Sequence, residues 1–162
     1  MKMDSETRPA TAQDREQLYS LYCTVLRDHI SAIWGWDDTW QRNDFDGHFS
    51  PQQITVLLVG NHPIGYMHVE ERSGVTWLRM IAILPEHQKK GIGRRAMEDL
   101  IDKANHQAKD IGLQVFKINT NARRFYERLG FNIEEETSTH FVMRRKMSQP
   151  NTASPGTGCA RP

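Results

Sequence analysis

The segment from Met80 to Gly93 reads MIAILPEHQKKGIG, and it decides the fold of this chain. Its first half is apolar and ends at Pro85, which predicts a buried strand. Its second half combines two lysines with two glycines. After Gly93, apolar residues recur every four positions, which predicts a helix from about Gly91 to Ala108. The sequence therefore places a basic, glycine-containing turn between a strand and the start of a helix.

This turn has the chemistry of a phosphate-binding site. The first turn of a helix presents unpaired backbone N–H groups and a partial positive charge. Gly91 and Gly93 lack side chains that would keep a diphosphate away from those amides. Lys89, Lys90 and Arg94 add positive charge around the same position. The structural alternative for this pattern is a basic, flexible loop.

A dinucleotide-binding turn is excluded, although residues 91–96 fit G-x-G-x-x-A. In that fold the strand runs almost directly into the first glycine, whereas here residues 85–90 intervene. The next predicted strand also ends in Lys117-Ile118-Asn119, which offers no acidic residue for a ribose hydroxyl. A different phosphate-containing ligand is therefore expected.

The surrounding pattern predicts a mixed α/β fold. The predicted strands are residues 6–10, 54–59, 64–70, 75–84, 113–118, 131–136 and 140–145, and the predicted helices are residues 11–29, 37–48, 91–108 and 120–129. Short turns between the strands from 54 to 84 favour an antiparallel meander. The order of strands and helices along the chain predicts three layers, with helices on both faces of a mostly antiparallel sheet. This sheet contains a central parallel strand pair.

A second string strengthens the interpretation. Asn119, Ala122 and Tyr126 are followed by ERLGF at residues 127–131. This string resembles the N-x-x-A-x-x-x-Y-E-x-x-G-F segment of the GNAT N-acetyltransferase superfamily, and Met80–Gly93 resembles that family's central Q/R-x-x-G-x-G/A motif. The resemblance covers about residues 6–146. It implies the GNAT fold, with acetyl-CoA as co-substrate.

The resemblance also implies roles for individual residues. Backbone groups of the strand would hold the pantetheine arm, and the turn would hold the pyrophosphate. Tyr126 would lie near the thioester sulfur and give the departing thiolate a proton. The implied cofactor-binding set is Ile81, Ala82, Ile83, Gln88, Lys89, Lys90, Gly91, Ile92, Gly93, Arg94, Asn119 and Tyr126.

The implied reaction also needs a base, because an alkyl amine is mostly protonated near neutral pH. Family members that acetylate protein N-termini often carry a glutamate where this chain has Gln114, and an amide cannot act as a base. Glu70 is the predicted base, and Glu71, His68 and His140 are alternatives on neighbouring strands. Strand alternation places His68 and Glu70 on one face.

The acceptor is predicted to bind near Trp34, Trp36 and Asp37, because aromatic faces beside carboxylates suit a cationic amine. Simple packing of the tryptophans is the alternative. The first functional hypothesis is transfer to the primary amine of a small molecule or amino acid. A protein or peptide acceptor, favoured by an open groove near Trp36, and a non-catalytic acyl-CoA sensor remain alternatives.

Composition and cysteine content limit which partners, locations and metal sites are expected. The chain has 162 residues and a net charge of +1, so no nucleic-acid partner is expected. No apolar run reaches the ~20 residues of a membrane span, and a cytoplasmic location is predicted. Cys23 and Cys159 have no metal-ligand spacing, so no metal is predicted. Residues 1–147 are predicted to form the domain and residues 148–162 a disordered tail; the resemblance leaves a homodimer open.

Overall fold

The computed structural model describes residues 4–147, which build one seven-stranded sheet with helices on both faces. The strands are β1 (Ser5–Pro9), β2 (Ile54–Val59), β3 (His62–Arg72), β4 (Val75–Ile83), β5 (Ile111–Phe116), β6 (Asn132–Glu136) and β7 (His140–Arg145). The helices are α1 (Arg15–Ile33), α2 (Asp38–His48), α3 (Ile92–His106) and α4 (Thr120–Arg128). The predicted tail, residues 148–162, lies outside the described residues.

The sheet confirms the predicted fold class. Its strand order is β1-β2-β3-β4-β5-β7-β6, and every neighbouring pair is antiparallel except β4 and β5. The α3 helix connects these two parallel strands, as a crossover connection requires. The parallel pair therefore lies inside the sheet, with antiparallel strands on either side.

Each face of the sheet has its own hydrophobic core. On one face, Leu18 and Leu21 of α1 pack with Val56 of β2. On the other face, Met97 of α3 packs with Leu113 of β5. Because successive side chains alternate across a strand, the central strands contribute to both cores and read as nearly continuous apolar runs.

The α1 helix extends beyond its predicted end at His29 to Ile33. It stops where Gly35 adopts a φ of +82°, and the Gly35 N–H donates to the Ser31 carbonyl at 3.1 Å. Glycine after a helix is a common termination signal because it enters the left-handed region without strain. No helix within residues 4–147 is both long and apolar enough to cross a membrane.

The β4 strand contains an irregularity that shapes the centre of the sheet. His68 pairs with Met80 and Val69 pairs with Leu78, so Arg79 is an extra residue on β4. Such a bulge bends the strand that carries it and increases its twist. The part of β4 that follows Arg79 is therefore directed differently from the part before it.

β4 and β5 pair over only three positions and then separate. The last pair joins Leu78 and Leu113, although β4 continues to Ile83 and β5 to Phe116. Within the paired part, Gly112 is required, because a Cβ atom there would lie 2.7 Å from the Trp77 ring. The sheet thus has a gap between the ends of its two parallel strands.

Candidate active site

A cavity of about 900 Å³ occupies this gap and reaches both faces of the sheet. From the face that carries α3 and α4, it is lined by the turn before α3 and by residues of α4. From the opposite face, it is lined by residues of α1 and α2 and by the start of β7. The cavity therefore joins two surfaces of different composition through the separated ends of β4 and β5.

The β4 edge toward the gap has free backbone groups. The Leu84 N–H donates to the Ile64 carbonyl at 2.9 Å, so this pair belongs to the hydrogen-bonded positions of the β3–β4 ladder. These positions alternate along antiparallel strands, which turns the backbone groups of Ile81 and Ile83 away from β3. No β5 residue within the described part of the chain pairs with them. This edge can accept an extended, amide-containing ligand in place of a strand.

The predicted contact of Ala82 with the cofactor needs correction, whereas Gln88 lines the cavity and also holds the turn. The same alternation directs the backbone groups of Ala82 to Tyr66 of β3, so they are not offered to the cavity. Gln88 donates its side-chain amide to the Ile83 carbonyl at 2.7 Å. Gln88 therefore ties the turn to the end of β4, and the free groups of the edge are those of Ile81 and the Ile83 N–H.

The turn before α3 has the backbone of an anion-binding site. Lys89 and Gly91 both have positive φ values, +60° and +84°. The first helical bond of α3 is donated by Arg95 to the Gly91 carbonyl at 3.0 Å, so the N–H groups of residues 92–94 have no helical acceptor. No acidic residue lies in this first helical turn.

The cationic side chains near the turn do not all contribute to the cavity. Lys89 and Arg94 line it, and so do Arg124 and Arg128 of α4, which the sequence analysis did not single out. Lys90 is exposed and is not part of the lining. The Ile92 side chain is also outside the lining because it is buried in the core, so only its backbone N–H is available. The lining thus carries a concentrated positive charge beside unpaired amides, as a diphosphate requires.

Asn119 and Tyr126 lie on the cavity, and both belong to the second sequence motif. The Asn119 side chain caps α4 by accepting the Ala122 N–H at 3.2 Å. Tyr126 is 8% exposed, and its ring packs against Phe131 at a centroid distance of 5.8 Å. Its hydroxyl makes no hydrogen bond within residues 4–147. Burial raises the pKa of Tyr126, so the hydroxyl stays protonated at neutral pH.

Of the three predicted acceptor residues, only Trp34 lines the cavity. It is 61% exposed, and its ring contacts Phe116 edge-on at 5.8 Å. Trp36 instead lies over Tyr22 at 6.2 Å and is covered by the Arg27 guanidinium. Gly35 separates the two tryptophans at the end of α1, which explains their different directions.

Asp37 also lies away from the cavity, where it has a structural role. Its carboxylate caps α2 by accepting the Trp40 N–H at 2.9 Å. Besides the buried Gln41, the α2 residues that line the cavity are Trp40 and Asp44. They are four positions apart and so lie on one face of the helix. This i,i+4 spacing is the sequence signal that identifies them.

Glu70 does not lie on the cavity, and its surroundings are those of an ion pair. Its carboxylate accepts a hydrogen bond from Arg72 at 2.8 Å and lies 3.8 Å from Arg79. Partial burial acts to raise the pKa of Glu70, but the two guanidinium groups outweigh it and lower the pKa. The prediction that Glu70 is the base is therefore not supported by its position.

His68, the alternative on the same face of β3, is buried rather than exposed to the cavity. Its Nε2 atom lies 2.9 Å from the Gln53 side-chain oxygen. Burial is the main cause and repulsion from Arg79 the second, and together they lower the pKa of His68 to about 4.

In the described part of the chain, no three His, Cys, Asp or Glu residues are grouped so that they could hold a metal ion.

Two other histidines do line the cavity, at its opposite end from the basic turn. His29 of α1 and His140 of β7 both contact the Phe116 ring, at centroid distances of 6.2 and 4.6 Å. Trp34 lies 5.9 Å from the His140 ring. We call Trp34, Phe116, His29 and His140 the aromatic cluster. Its residues come from three separate elements, α1, β5 and β7, so no continuous segment of sequence predicts the cluster.

Comparisons with known proteins agree with this architecture. The chain resembles solved structures of PaiA N-acetyltransferase from Thermoplasma acidophilum in complex with coenzyme A (17% identity, 89% of this chain and 99% of that chain, TM-score 0.74) and of the ribosomal-protein-S18-alanine N-acetyltransferase from Escherichia coli (18%, 93% and 98%, 0.71). Another is Arabidopsis thaliana Naa50 in complex with the bisubstrate analogue CoA-Ac-MVNAL (16%, 88% and 99%, 0.62).

A search by sequence among curated proteins gives no match. The family model described as acetyltransferase (GNAT) family matches residues 15–131, which is more than half of the chain. This match spans both motifs, the gap between β4 and β5, and most of the cavity lining. The chain therefore belongs to the acetyltransferase (GNAT) family, and acetyl-CoA is its co-substrate.

Proposed function

We propose that this protein transfers the acetyl group of acetyl-CoA to the primary amine of a small molecule or an amino acid, with both reactants bound together. The observation that carries the proposal is the gap between β4 and β5. It joins an anion-binding turn on one face of the sheet to an aromatic surface on the other. Two reactants that enter from opposite faces meet there, and such positioning lowers a barrier by ~7–11 kcal/mol.

The cofactor side fits acetyl-CoA group by group. The Ile81 and Ile83 backbone suits the amides of a pantetheine arm, and the amides of residues 92–94 suit a diphosphate. Lys89, Arg94, Arg124 and Arg128 supply positive charge around them. When bound, acetyl-CoA supplies the activated thioester carbonyl. The protein's residues then hold it, align it and exchange protons with it.

Tyr126 is the residue proposed to protonate the leaving sulfur. Its hydroxyl is on the cavity, makes no hydrogen bond within the described residues, and remains protonated because burial raises its pKa. A thiolate is a better acceptor of a proton or hydrogen bond than a neutral sulfur, so the contact strengthens as the bond breaks. Tyr126 therefore stabilises the transition state more than the bound reactants.

The acceptor side suits a cationic amine. Trp34 and Trp40 present aromatic faces, which attract cations, and Asp44 adds a carboxylate on the same side. Gln41 donates to the Tyr22 hydroxyl at 2.8 Å and so satisfies the polar groups between α1 and α2. An ammonium group held on this side would lie next to the gap between the parallel strands.

A peptide or protein amine is the second candidate. Trp34 and Trp40 are 61% and 60% exposed, so an acceptor larger than the cavity has access to both. Two of the similar structures are the ribosomal-protein-S18-alanine N-acetyltransferase and Naa50 with a peptide-containing analogue. Against this candidate, Gln114 lines the cavity where N-terminal acetyltransferases of the family often have a glutamate.

The test is thiol release from acetyl-CoA in the presence of a panel of small amines, amino acids and short peptides. We expect amine-dependent release that Tyr126→Phe slows by about 10²-fold, the lower end of general acid catalysis. Tyr66→Phe is the matched control, because Tyr66 is equally buried but does not line the cavity. Tight acetyl-CoA binding with no release for any amine would identify a sensor and contradict the proposal.

A further inference from the structure

We propose that His140 of β7 is the general base that removes a proton from the acceptor ammonium, an inference that rests on the proposed acetyl transfer. The need for such a group is chemical, because an ammonium nitrogen has no lone pair with which to attack a carbonyl. Glu70, predicted for this role, does not line the cavity and is paired with Arg72 and with Arg79, of which Arg79 lines the cavity. The base must therefore be found among the groups that line the cavity.

His140 lies at the open end of β5. It is the register partner of Phe116, the last residue of β5, and the two rings are 4.6 Å apart. This position follows the point at Leu113 where β5 leaves β4. His140 therefore stands on the acceptor side of the gap, within the aromatic cluster.

The imidazole is oriented by its neighbour in the β6–β7 turn. His140 Nδ1 lies 2.8 Å from the Thr139 hydroxyl oxygen. The turn itself is held by Thr137, whose hydroxyl accepts the His140 N–H at 2.9 Å. When Nδ1–H donates to Thr139, the lone pair is on Nε2, which has no hydrogen-bond partner within residues 4–147. A base held by a third group in this way has the arrangement of known catalytic histidines.

The surroundings of His140 keep the ring neutral at pH 7. Burial lowers the pKa of His140 below its usual value. Among the titratable groups on the neighbouring elements, His29 of α1 touches the same Phe116 ring and Lys117 directly follows β5. Lys117 is paired with Glu136 of β6 and so is not directed at the imidazole. A neutral imidazole can accept a proton, whereas an imidazolium cannot.

The other cavity-lining candidates are less suited to the role. His29 stacks on Phe116, but its Nδ1 is buried and has no hydrogen-bond partner within the described residues, so no hydrogen bond fixes its tautomer. Asp44 lies on α2, where its carboxylate is 3.4 Å from His48. It is placed to attract the acceptor cation, together with Trp40, rather than to act beside Phe116.

The protons balance in this scheme. The acceptor begins as an ammonium with three N–H bonds and ends as an amide with one. His140 takes one proton and later releases it to solvent. The C–N bond forms and the C–S bond breaks. The second nitrogen proton passes to solvent, the sulfur takes the Tyr126 proton, and Tyr126 regains a proton from solvent. One proton is released to solvent per acetyl group transferred.

The test compares kcat/KM against pH for the wild-type protein and His140→Gln, with the best amine of the panel. We expect a loss of about 10²-fold at pH 7. The deficit should shrink as pH rises toward an amine pKa of ~10, where the acceptor deprotonates unaided. The wild-type acid limb should match the pKa of the His140 ring, measured by NMR in the free protein. Acetyl-CoA affinity, measured by calorimetry, should not change.

Four further variants distinguish a catalytic role of His140 from a structural one. His106→Gln, on the exposed end of α3, should leave the profile unchanged. Thr139→Val should shift the acid limb, and Thr139→Ser should restore it, because Thr139 acts as a positioning residue. An active His140→Gln with the wild-type profile, or loss of the acid limb in His29→Gln instead, would overturn the inference. A wild-type protein without amine-dependent release would overturn the proposed function itself.

Discussion

The two sides of the cavity are built by different means. The cofactor side comes from the continuous segment Met80–Gly93 and from one face of α4, and it offers mainly backbone groups. The acceptor side comes from α1, α2, β5 and β7, and it offers side chains: Trp34, Trp40 and His140. A site made of backbone depends on local conformation, whereas a site made of side chains depends on how distant elements pack.

This difference predicts opposite sensitivities to mutation. On the cofactor side, changes at glycines should matter more than changes at any single cation, because the backbone conformation holds the amides in place. On the acceptor side, side-chain truncation should change substrate binding and leave acetyl-CoA affinity unaffected.

Gly91→Val should have the largest effect. Gly91 has a φ of +84°, a conformation that a β-branched residue adopts only with strain of ~1–3 kcal/mol. The turn should shift to relieve this strain and move the amides of residues 92–94. We expect the acetyl-CoA Kd to rise by between about 10- and 100-fold in calorimetry, where each tenfold is ~1.4 kcal/mol.

Gly60→Val is the matched control for that variant. Gly60 also has a positive φ, +55°, but it lies in the turn between β2 and β3 and does not line the cavity. Both substitutions should lower the free energy of unfolding, since an added Cβ at either position meets no atom within 4 Å and the strain is in the backbone. Equal losses of acetyl-CoA affinity in the two variants would contradict a specific role for the turn.

The double variant Lys89→Ala, Arg94→Ala should weaken acetyl-CoA binding by about tenfold, since exposed charge pairs contribute ~0.2–1 kcal/mol each. Arg94 is 3.7 Å from Glu98, so part of its charge is already neutralised. The salt dependence of the Kd should become shallower, because fewer cations face the phosphates. Lys103→Ala, in the last turn of α3, should change neither quantity.

Trp34→Ala should have the smallest effect on the cofactor and a moderate one on the acceptor. We expect the acceptor KM to rise by about fivefold, from loss of an exposed cation–π contact worth ~0.5–1 kcal/mol. The acetyl-CoA Kd should not change, because Trp34 belongs to the aromatic cluster on the other face. Trp36→Phe, which keeps an aromatic ring against Tyr22, should leave both constants unchanged. A change in acetyl-CoA affinity in Trp34→Ala would contradict the assignment of Trp34 to the acceptor side alone.

Local patterns in the sequence identified the two segments that line one side of the cavity. The strand, the glycine turn and the start of α3 follow one another in the chain, and residues 119–131 form a second continuous motif. Their conformations depend on neighbouring residues: Gly91 begins α3 and the Asn119 side chain caps α4. The layer order and the parallel pair also followed from the order of strands and helices.

The remaining assignments failed for identifiable physical reasons. The family resemblance implied a cofactor contact for Ala82, but which residues of β4 pair with β3 cannot be read from β4 alone. Asp37 turned out to be a helix cap, and Glu70 the partner of Arg72 and Arg79. A carboxylate or an indole has several uses in a protein, and only its neighbours in space distinguish them.

The bulge at Arg79 and the aromatic cluster had no local signal. Arg79 is an extra residue only in relation to the register of β3. His140 and Phe116 meet because β5 and β7 are neighbours in the sheet, and Trp34 reaches them because α1 runs past His29. These features arise from strand register and helix length. The periodicity of apolar residues predicts both of these less well than it predicts the type of element.

Hydrogen exchange of the protein with and without acetyl-CoA is the decisive measurement, because the proposed cofactor site consists largely of backbone amides. We expect slower exchange at the Ile81 and Ile83 amides and in residues 89–94 when acetyl-CoA is bound. The edge strand β1 and the turn at Gly60 should exchange as before. Protection confined to other elements, or none at concentrations that saturate binding, would contradict the assignment of the gap between β4 and β5 as the acetyl-CoA site.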